Sequence, residues 1–451
     1  RGYSLTGTRD HKIEVFGEKG FPVTKELKDV KKDDNILLQV GQNVYGDLTD
    51  ISEYSNISTN VRAVRYNIPT VLDEDVSLLL GMMVADGTIT KSGIRLSKRY
   101  KEVSETFARL IKKIFGYRYV EPVFRKSGDY IVEINSTHIS GFFQNIGGLQ
   151  PHEKYVPDAI LKTNYNNQVK FLQGLFEDGS VNIKNGYFDH IELTMKSELM
   201  SKQLQMMLLN MGVKTTKRQL TSKLKTGKIH KSFVLYIYKE SLEEFRKIGF
   251  VSRLKNERLY MLKDPNMISP RKSIPHISSL VRRFLKDAGV DFNSKDVEYK
   301  WTGKKNMTPS KVNTLIEKHK KKLVKYNKNL YNYLYRLCND VFLDKVVNLE
   351  ESEDKTYCFT MPETGMFTQN GVRGFNCQGS QWKHVVLGLD NSSYIMLNKQ
   401  LLYTGMTRAQ EYLFLVAEKK ALNKAIKTNN SKKRNTFLKK MFKDHAKKSA
   451  K

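Results

Sequence analysis

The strongest constraint on this fold is internal repetition. Residues 75–260 state one run of elements twice. LLGMMVADG (79–87) and FLQGLFEDG (171–179) each read as an apolar helix closing in Asp-Gly. Each is followed by hairpin strands, a helix, a second hairpin and a helix. In the first copy the strands fall near IRLSKRY and YRYVEPVFRKSGDYIVEI, with SETFARLIKKIFG as the helix. In the second they fall near FDHIELTM and KRQLTSKLKTGKIHKSFVLYIY, with ELMSKQLQMMLLNMG as the helix. The pattern is αββαββα, twice. Gly81 sits mid-helix among Leu and Met, where it costs about 1 kcal/mol relative to Ala. That cost is reasonable if another backbone approaches there, and Gly174 holds the matching place. Packing the two helices brings Asp86 and Asp178 side by side. Two such carboxylates repel, and a divalent metal resolves the conflict. A metal shared by acids and a phosphodiester serves phosphoryl transfer. The basic hairpins suit a DNA major groove. An Asp-Gly helix end is commonplace in one copy; its repetition within the same basic framework favours function.

Charge supports this direction. Of 451 residues, 77 are Lys or Arg and 47 Asp or Glu, a formal net charge of +30. The excess recurs through several segments, which points to a nucleic-acid partner over merely solvated faces. The length implies two to four domains. The three cysteines, Cys338, Cys358 and Cys377, form neither a disulfide framework nor a CxxC metal pattern. A reducing, cytoplasmic setting fits, in a prokaryotic or viral host cell. No apolar run approaches the roughly 20 residues of a membrane span, so no membrane is expected. The chain begins at Arg1 within strand-like sequence and reads as a fragment or processed piece.

The two Asp-Gly helices resemble the LAGLIDADG motif of homing endonucleases in their two-copy, single-chain form. The resemblance implies that Asp86 and Asp178 are catalytic, metal-binding acids and that the metal is Mg²⁺. It also implies a catalytic-site lysine ahead of the second helix, Lys154 in HEKYVP, and another after the second repeat, Lys255 in SRLK. One departure stands out. Five steps separate Gly81 from Asp86, but four separate Gly174 from Asp178. The missing residue is worth about 100° of helix rotation. Either the helix end reshapes or the second acid is misplaced, with Glu177 as its substitute.

A second feature lies at Asn376–Cys377. An Asn amide can attack its own carbonyl to form a succinimide when pre-positioned and assisted. A following Cys is a good acyl-transfer nucleophile. TYCFTMPETGMFTQNGVRGFNC resembles the C-terminal splicing blocks of inteins, and TGTRDH resembles the intein block with Thr and His three apart. The resemblance covers about residues 1–376. It implies that Thr8 and His11 polarise the N-terminal scissile peptide, that Asn376 cyclises and that Cys377 accepts the acyl group. Cys358 stands where Asp is usual, as an acid–base group or branching nucleophile; a small buried residue is the plainer alternative. Phe375 replaces the usual penultimate His. The N-terminal splicing nucleophile and its block are absent, so a separate N-terminal intein or helicase polypeptide is a possible partner.

CQGSQWKHVVLGLD and LLYTGMTRAQEYLFLVA resemble motifs V and VI of superfamily 1 DNA helicases. Gln378, Gly379 and Ser380 would join nucleotide and DNA sites. Arg408 would contact an ATP γ-phosphate in the assembled helicase. No G-x-x-x-x-G-K-[ST] loop occurs in the chain.

The expectation is a multi-domain chain. A mostly-β, Hint-like splicing domain lies in two parts, 1–70 (incomplete) and 341–376. The α+β endonuclease is 75–260, a basic helical insert is 265–340, and a partial α/β helicase motor domain is 377–451. For the insert, a helical DNA contact and simple packing both stay open. The function expected is autocatalytic protein splicing combined with site-specific, metal-dependent double-strand DNA cleavage within a helicase precursor. A degenerate DNA-binding intein without either activity is the alternative. A helicase accessory domain is a third reading, and it leaves the acidic repeat and the Asn–Cys seam unexplained.

Overall fold

The computed structural model describes residues 1–57, 64–148, 154–223, 229–261, 273–291, 306–353, 365–375, 382–394 and 396–428. Asn376, Cys377, Cys358, Gln378, Gly379 and Ser380 lie outside them. The chain divides into two compact units, one of residues 1–354 with 368–374, the other of 355–367 with 375–451.

The first unit opens with strands β1 (Lys12–Phe16), β2 (Pro22–Glu26) and β3 (Asn35–Gln39). GYSLTGTRDHKIEV thus forms a strand only from Lys12. The chain returns to this sheet about 300 residues later with β12 (Val341–Lys345), β13 (Met366–Gln369) and β14 (Val372–Phe375). The order is β12-β3-β1-β14-β13, with β2 on β1. Ile13 pairs with Gly374 and Ile36 with Asp344, so sequence-distant segments close one sheet around everything between them. Asn370 and Gly371 turn the last hairpin at φ 51° and 80°, the paired left-handed values of a type I′ turn.

Inside that frame lie the two repeats. The first runs α1 (Glu74–Asp86), β4 (Gly87–Ile89), β5 (Ile94–Lys98), α2 (Lys101–Phe115), β6 (Val123–Phe124), β7 (Tyr130–Ile134) and α3 (Thr137–Ile146). After the short α4 (Asp158–Lys162), the second runs α5 (Tyr165–Phe176), β8 (Ser180–Lys184), β9 (Tyr187–Met195), α6 (Glu198–Asn210), β10 (Thr215–Lys223), β11 (Ile229–Tyr238), α7 (Leu242–Arg246) and α8 (Arg253–Arg258). Each repeat owns a four-stranded antiparallel sheet, β4-β5-β7-β6 and β10-β11-β9-β8.

α1 is buried without a break from Val76 to Val84, as a helix apolar all round must be. Its partner is α5, and a single core spans both repeats. A Cβ on Gly81 would collide with the carbonyl oxygen of Phe171, and one on Gly174 with that of Leu78. The two glycines therefore permit backbone-to-backbone contact between the helices.

Helices α9 (Ile277–Asp287), α10 (Pro309–Lys318) and α11 (Lys320–Asn339) follow, with a core of their own that includes Phe16 and Leu37 of the first sheet. The second unit contains β15 (Trp382–Leu389), α12 (Lys399–Met406), β16 (Ala409–Ala417) and α13 (Lys419–Lys427). Its strands pair in parallel. Among the described residues, no helix is long and apolar enough to cross a membrane.

Candidate active site

α1 begins where Asp73 accepts a hydrogen bond from the Val76 amide, and α5 where Asn164 accepts from Asn167. These caps set the phase of both helices. Their C-terminal ends then differ. α1 ends with the Gly87 amide donating to Met83, a regular α-helical bond. Past α5, the Asp178 amide donates to Leu175 at 3.3 Å and Gly179 to Phe176 at 2.8 Å. These are three-residue turns, which advance about 120° per residue instead of about 100°. The tighter turn recovers part of the rotation lost with the missing residue.

As a result the two acids converge. Lys98 Nζ lies 3.3 Å from Asp86 Oδ2 and 3.3 Å from Asp178 Oδ1. The lysine side chain is 8% exposed, while those of Asp86 and Asp178 are 51% and 40% exposed, so the acids front onto solvent over a buried cation. Glu177 does not substitute for Asp178. Its side chain is 1% exposed, accepts from the Ser252 amide at 2.9 Å and pairs with Lys255.

Lys154 and Lys255 occupy matching places. Lys154 donates to the carbonyls of Val84 and Ala85 at 2.8 and 2.9 Å, capping α1. Lys255 donates to the carbonyl of Glu177, capping α5. A cation at a helix C-terminus satisfies orphan carbonyls and the helix dipole. Burial lowers the pKa of both amines. Asp178 and Asp86 oppose the shift at Lys154, and Glu177 does so at Lys255. Ser252 caps α8 and thereby fixes Lys255.

Lys98 was not singled out from sequence, although a signal existed. In IRLSK, Ile94 and Leu96 point to the core and Lys98 continues the same phase. A charge in the inward phase of a strand requires a partner. The second repeat has Met195 at the corresponding position of IELTM.

The donor set suits a hard divalent cation. Two carboxylates already converge on one ammonium, and Mg²⁺ characteristically takes one or two carboxylates plus substrate phosphates. Among the described residues, no group of three or more His, Cys, Asp or Glu gathers as a metal site. A fully protein-made cage is therefore not what these residues offer.

At the first sheet, His11 is buried, and burial lowers its pKa against the opposing charge of Asp10. Its amide donates to the Thr8 carbonyl at 3.0 Å. A Cβ on Gly374 would come within 2.9 Å of His11 Nε2. His11 is thus set against the strand that leads to Asn376. Thr8 is exposed, and its hydrogen bond holds the Asp10 carboxylate below its usual range. In the second unit Arg408 lies in the turn between α12 and β16, its amide donating to Gly405 at 3.2 Å.

Residues 166–249 match the model of a LAGLIDADG-like domain, and residues 374–416 match that of a UvrD-like helicase C-terminal domain. The ribonucleoside-diphosphate reductase NrdEB subunit alpha of Bacillus subtilis is 26% identical over 233 residues, which is 48% of this chain and 19% of that protein. A DNA polymerase of Thermococcus kodakarensis is 28% identical over 156 residues, 32% of this chain and 9% of that one. The chain spans less than a fifth of the length of either relative. The crystal structure of I-DmoI in complex with DNA and Mn aligns at 16% identity and a TM-score of 0.30, covering 39% of this chain and 97% of that one.

Proposed function

We propose that this chain is an intein: a splicing element that carries a two-repeat, metal-dependent, site-specific double-strand DNA endonuclease and continues into a superfamily 1 helicase segment. The observation that carries the endonuclease reading is the convergence of Asp86 and Asp178 on Lys98 where α1 and α5 end. The LAGLIDADG-like match over residues 166–249 supports it from the second repeat. The proposed domains are the split splicing domain (1–70 and 341–376), the endonuclease (75–260), the basic helical insert (265–340) and the helicase segment (377–451).

In this reading Asp86 and Asp178 hold Mg²⁺. When bound, the cation supplies positive charge to the scissile phosphate and its oxygens. Lys98 balances the two carboxylates from below. Lys154 and Lys255, each with a pKa lowered by burial, hold the helix ends beside the two acids and set the charge there. The two repeats serve one DNA strand each.

Three observations support the splicing reading. One sheet is closed by segments on either side of the endonuclease. The helicase-type match begins at residue 374, beside the Asn376–Cys377 seam. Small shares of a reductase and of a polymerase match this chain, as expected of an element inserted into hosts of unlike function. The proposed roles are His11 and Thr8 at the N-terminal junction, Cys358 as acid–base group or nucleophile, Asn376 in cyclisation and Cys377 in acyl transfer. Arg408 would serve ATP only in an assembled motor, where further helicase polypeptide would cover the exposed Val386, Phe414 and Val416.

Two assays test the parts separately. Selection of cleaved members from a random duplex library in Mg²⁺ should return one defined site, and Asp86→Asn should abolish it. Binding without any cleavage would leave a DNA-binding relic. Mass measurement of the chain should detect a fragment beginning at Cys377 that is absent in Asn376→Ala. An intact chain, even after an N-terminal splicing segment is supplied in trans, would remove the splicing reading.

A further inference from the structure

The helical segment between the two halves of the first sheet carries a basic surface that the acid site does not use. Ile277, Val281, Phe284, Ile316, Leu323 and Leu334 give it a buried core, so it is a firm platform. Its surface charge is lopsided. From Lys318 to Lys328 there are six lysines (318, 320, 321, 322, 325 and 328) and no acid. Glu317, the one carboxylate of α10 and α11, is already engaged by the Tyr331 hydroxyl and by Lys320 at 3.5 Å.

Lys321 and Lys325 are exposed one turn apart, opposite the buried Leu323. Like charges at that spacing disfavour a helix. Asn327 breaks α11 at φ −154° and ψ 93°, and its side chain accepts from the Leu330 amide at 3.0 Å to restart the helix. The break leaves Lys325, Tyr326 and Lys328 exposed together. The Tyr326 ring is 52% exposed, yet it is steadied 6.2 Å from the Phe284 ring. Burial, and then the neighbouring Lys318 and Lys322, lower the His319 pKa.

We propose that this platform is a second duplex-DNA-binding element, which takes backbone phosphates away from the cleavage site on Lys321, Lys325 and Lys328, with Tyr326 against the sugar-phosphate edge. The choice of duplex DNA rests on the endonuclease reading; the surface itself rests on charge and geometry. Such contacts are blind to sequence. They add affinity and lengthen the footprint without altering which bond is cut.

The test measures binding of the full chain to a labelled random-sequence duplex across a salt series. Each lost phosphate contact lowers the log–log salt slope by about 0.9. The variant K321Q/K325Q/K328Q should therefore lose about 2.7 from the slope, bind all duplexes proportionately more weakly, and cleave at the same rate once saturated. The variant K19Q/K31Q/K32Q carries the same charge change on exposed lysines of the first sheet domain and should leave the slope nearly intact. An unchanged slope in the first variant overturns the proposal. Equal losses in both variants overturn it too, by reducing the effect to net charge. Stronger competition by single-stranded RNA than by duplex DNA assigns the surface to another polymer and also overturns it. A wild-type chain that binds no duplex at all would overturn this proposal and the endonuclease reading together.

Discussion

The two repeats share a plan and differ in three physical details. α1 ends in a regular turn, whereas α5 ends one residue early and tightens. The first repeat supplies a buried lysine, Lys98, where the second has Met195. The sheet of the first repeat uses strands as short as two and three residues, whereas β9, β10 and β11 of the second run for nine, nine and ten. The comparison teaches that approximate two-fold symmetry is kept where backbones touch, at Gly81 and Gly174, and relaxed at the rim. Close contact tolerates no added atom, while a side chain of sufficient reach can compensate for a shifted backbone. Lys98 does so by meeting both acids at 3.3 Å.

The largest expected effect comes from the acids. Asp86→Asn and Asp178→Asn should each lower double-strand cleavage about a thousandfold, the loss of several kcal/mol of charge stabilisation. Strand-resolved gels should show each variant nicking one strand. A fully active Asp178→Asn would mean that the tight turn has removed that acid from the chemistry. Next are the lysines. Because Lys98 is equidistant from both acids, Lys98→Met should slow both nicks alike, about a hundredfold. Lys154→Met and Lys255→Met should each slow mainly one. Equal slowing by all three would dissolve the one-lysine-per-half assignment.

The same lysines give a pH signature. Their folded pKa values lie below the ordinary lysine value. Between the two values the unfolded chain binds more protons, so stability rises with pH across that interval. Urea midpoints measured over the alkaline range should show the rise, and Lys154→Met and Lys255→Met should each flatten it. A rise unchanged in both variants would place the lowered values elsewhere. The glycines come next. Gly81→Ala and Gly174→Ala should each cost about 1–3 kcal/mol, because the gain in helix propensity is smaller than the cost of overpacking against a backbone carbonyl. A variant more stable than wild type would show that the helices can slide apart.

The repeat made the helix pair legible, because a costly mid-helix glycine announces its partner. Lys154 and Lys255 were reachable from their positions beside the second helix and after the second repeat. Lys98 was legible only as a charge in a strand's inward phase, since sequence does not say what meets it at the end. The outcome of the missing residue was equally hidden. A lost residue allows either a displaced acid or a tightened turn, and only the hydrogen bonds of Asp178 and Gly179 decide between them. Glu177 looked like a spare acid by spacing alone; burial beside Ser252 and Lys255 gives it a structural task.

The last comparison concerns the sheets of the two repeats. In the second, Arg218 lies over the Tyr236 ring at 5.4 Å, and Tyr236 stacks on Tyr238 with centroids 6.1 Å apart. In the first, Arg95 faces Glu133 at 3.7 Å, which spends part of its charge within the protein. If each sheet reads one half of a DNA site, the second half should be held more firmly. Arg218→Ala should then cost about 1–3 kcal/mol, and Arg95→Ala less, since removing it also frees Glu133. Binding to duplexes mutated in one half at a time measures this directly. Equal losses for the two arginines would mean that strand length, and not the arginine–tyrosine contact, decides which half dominates.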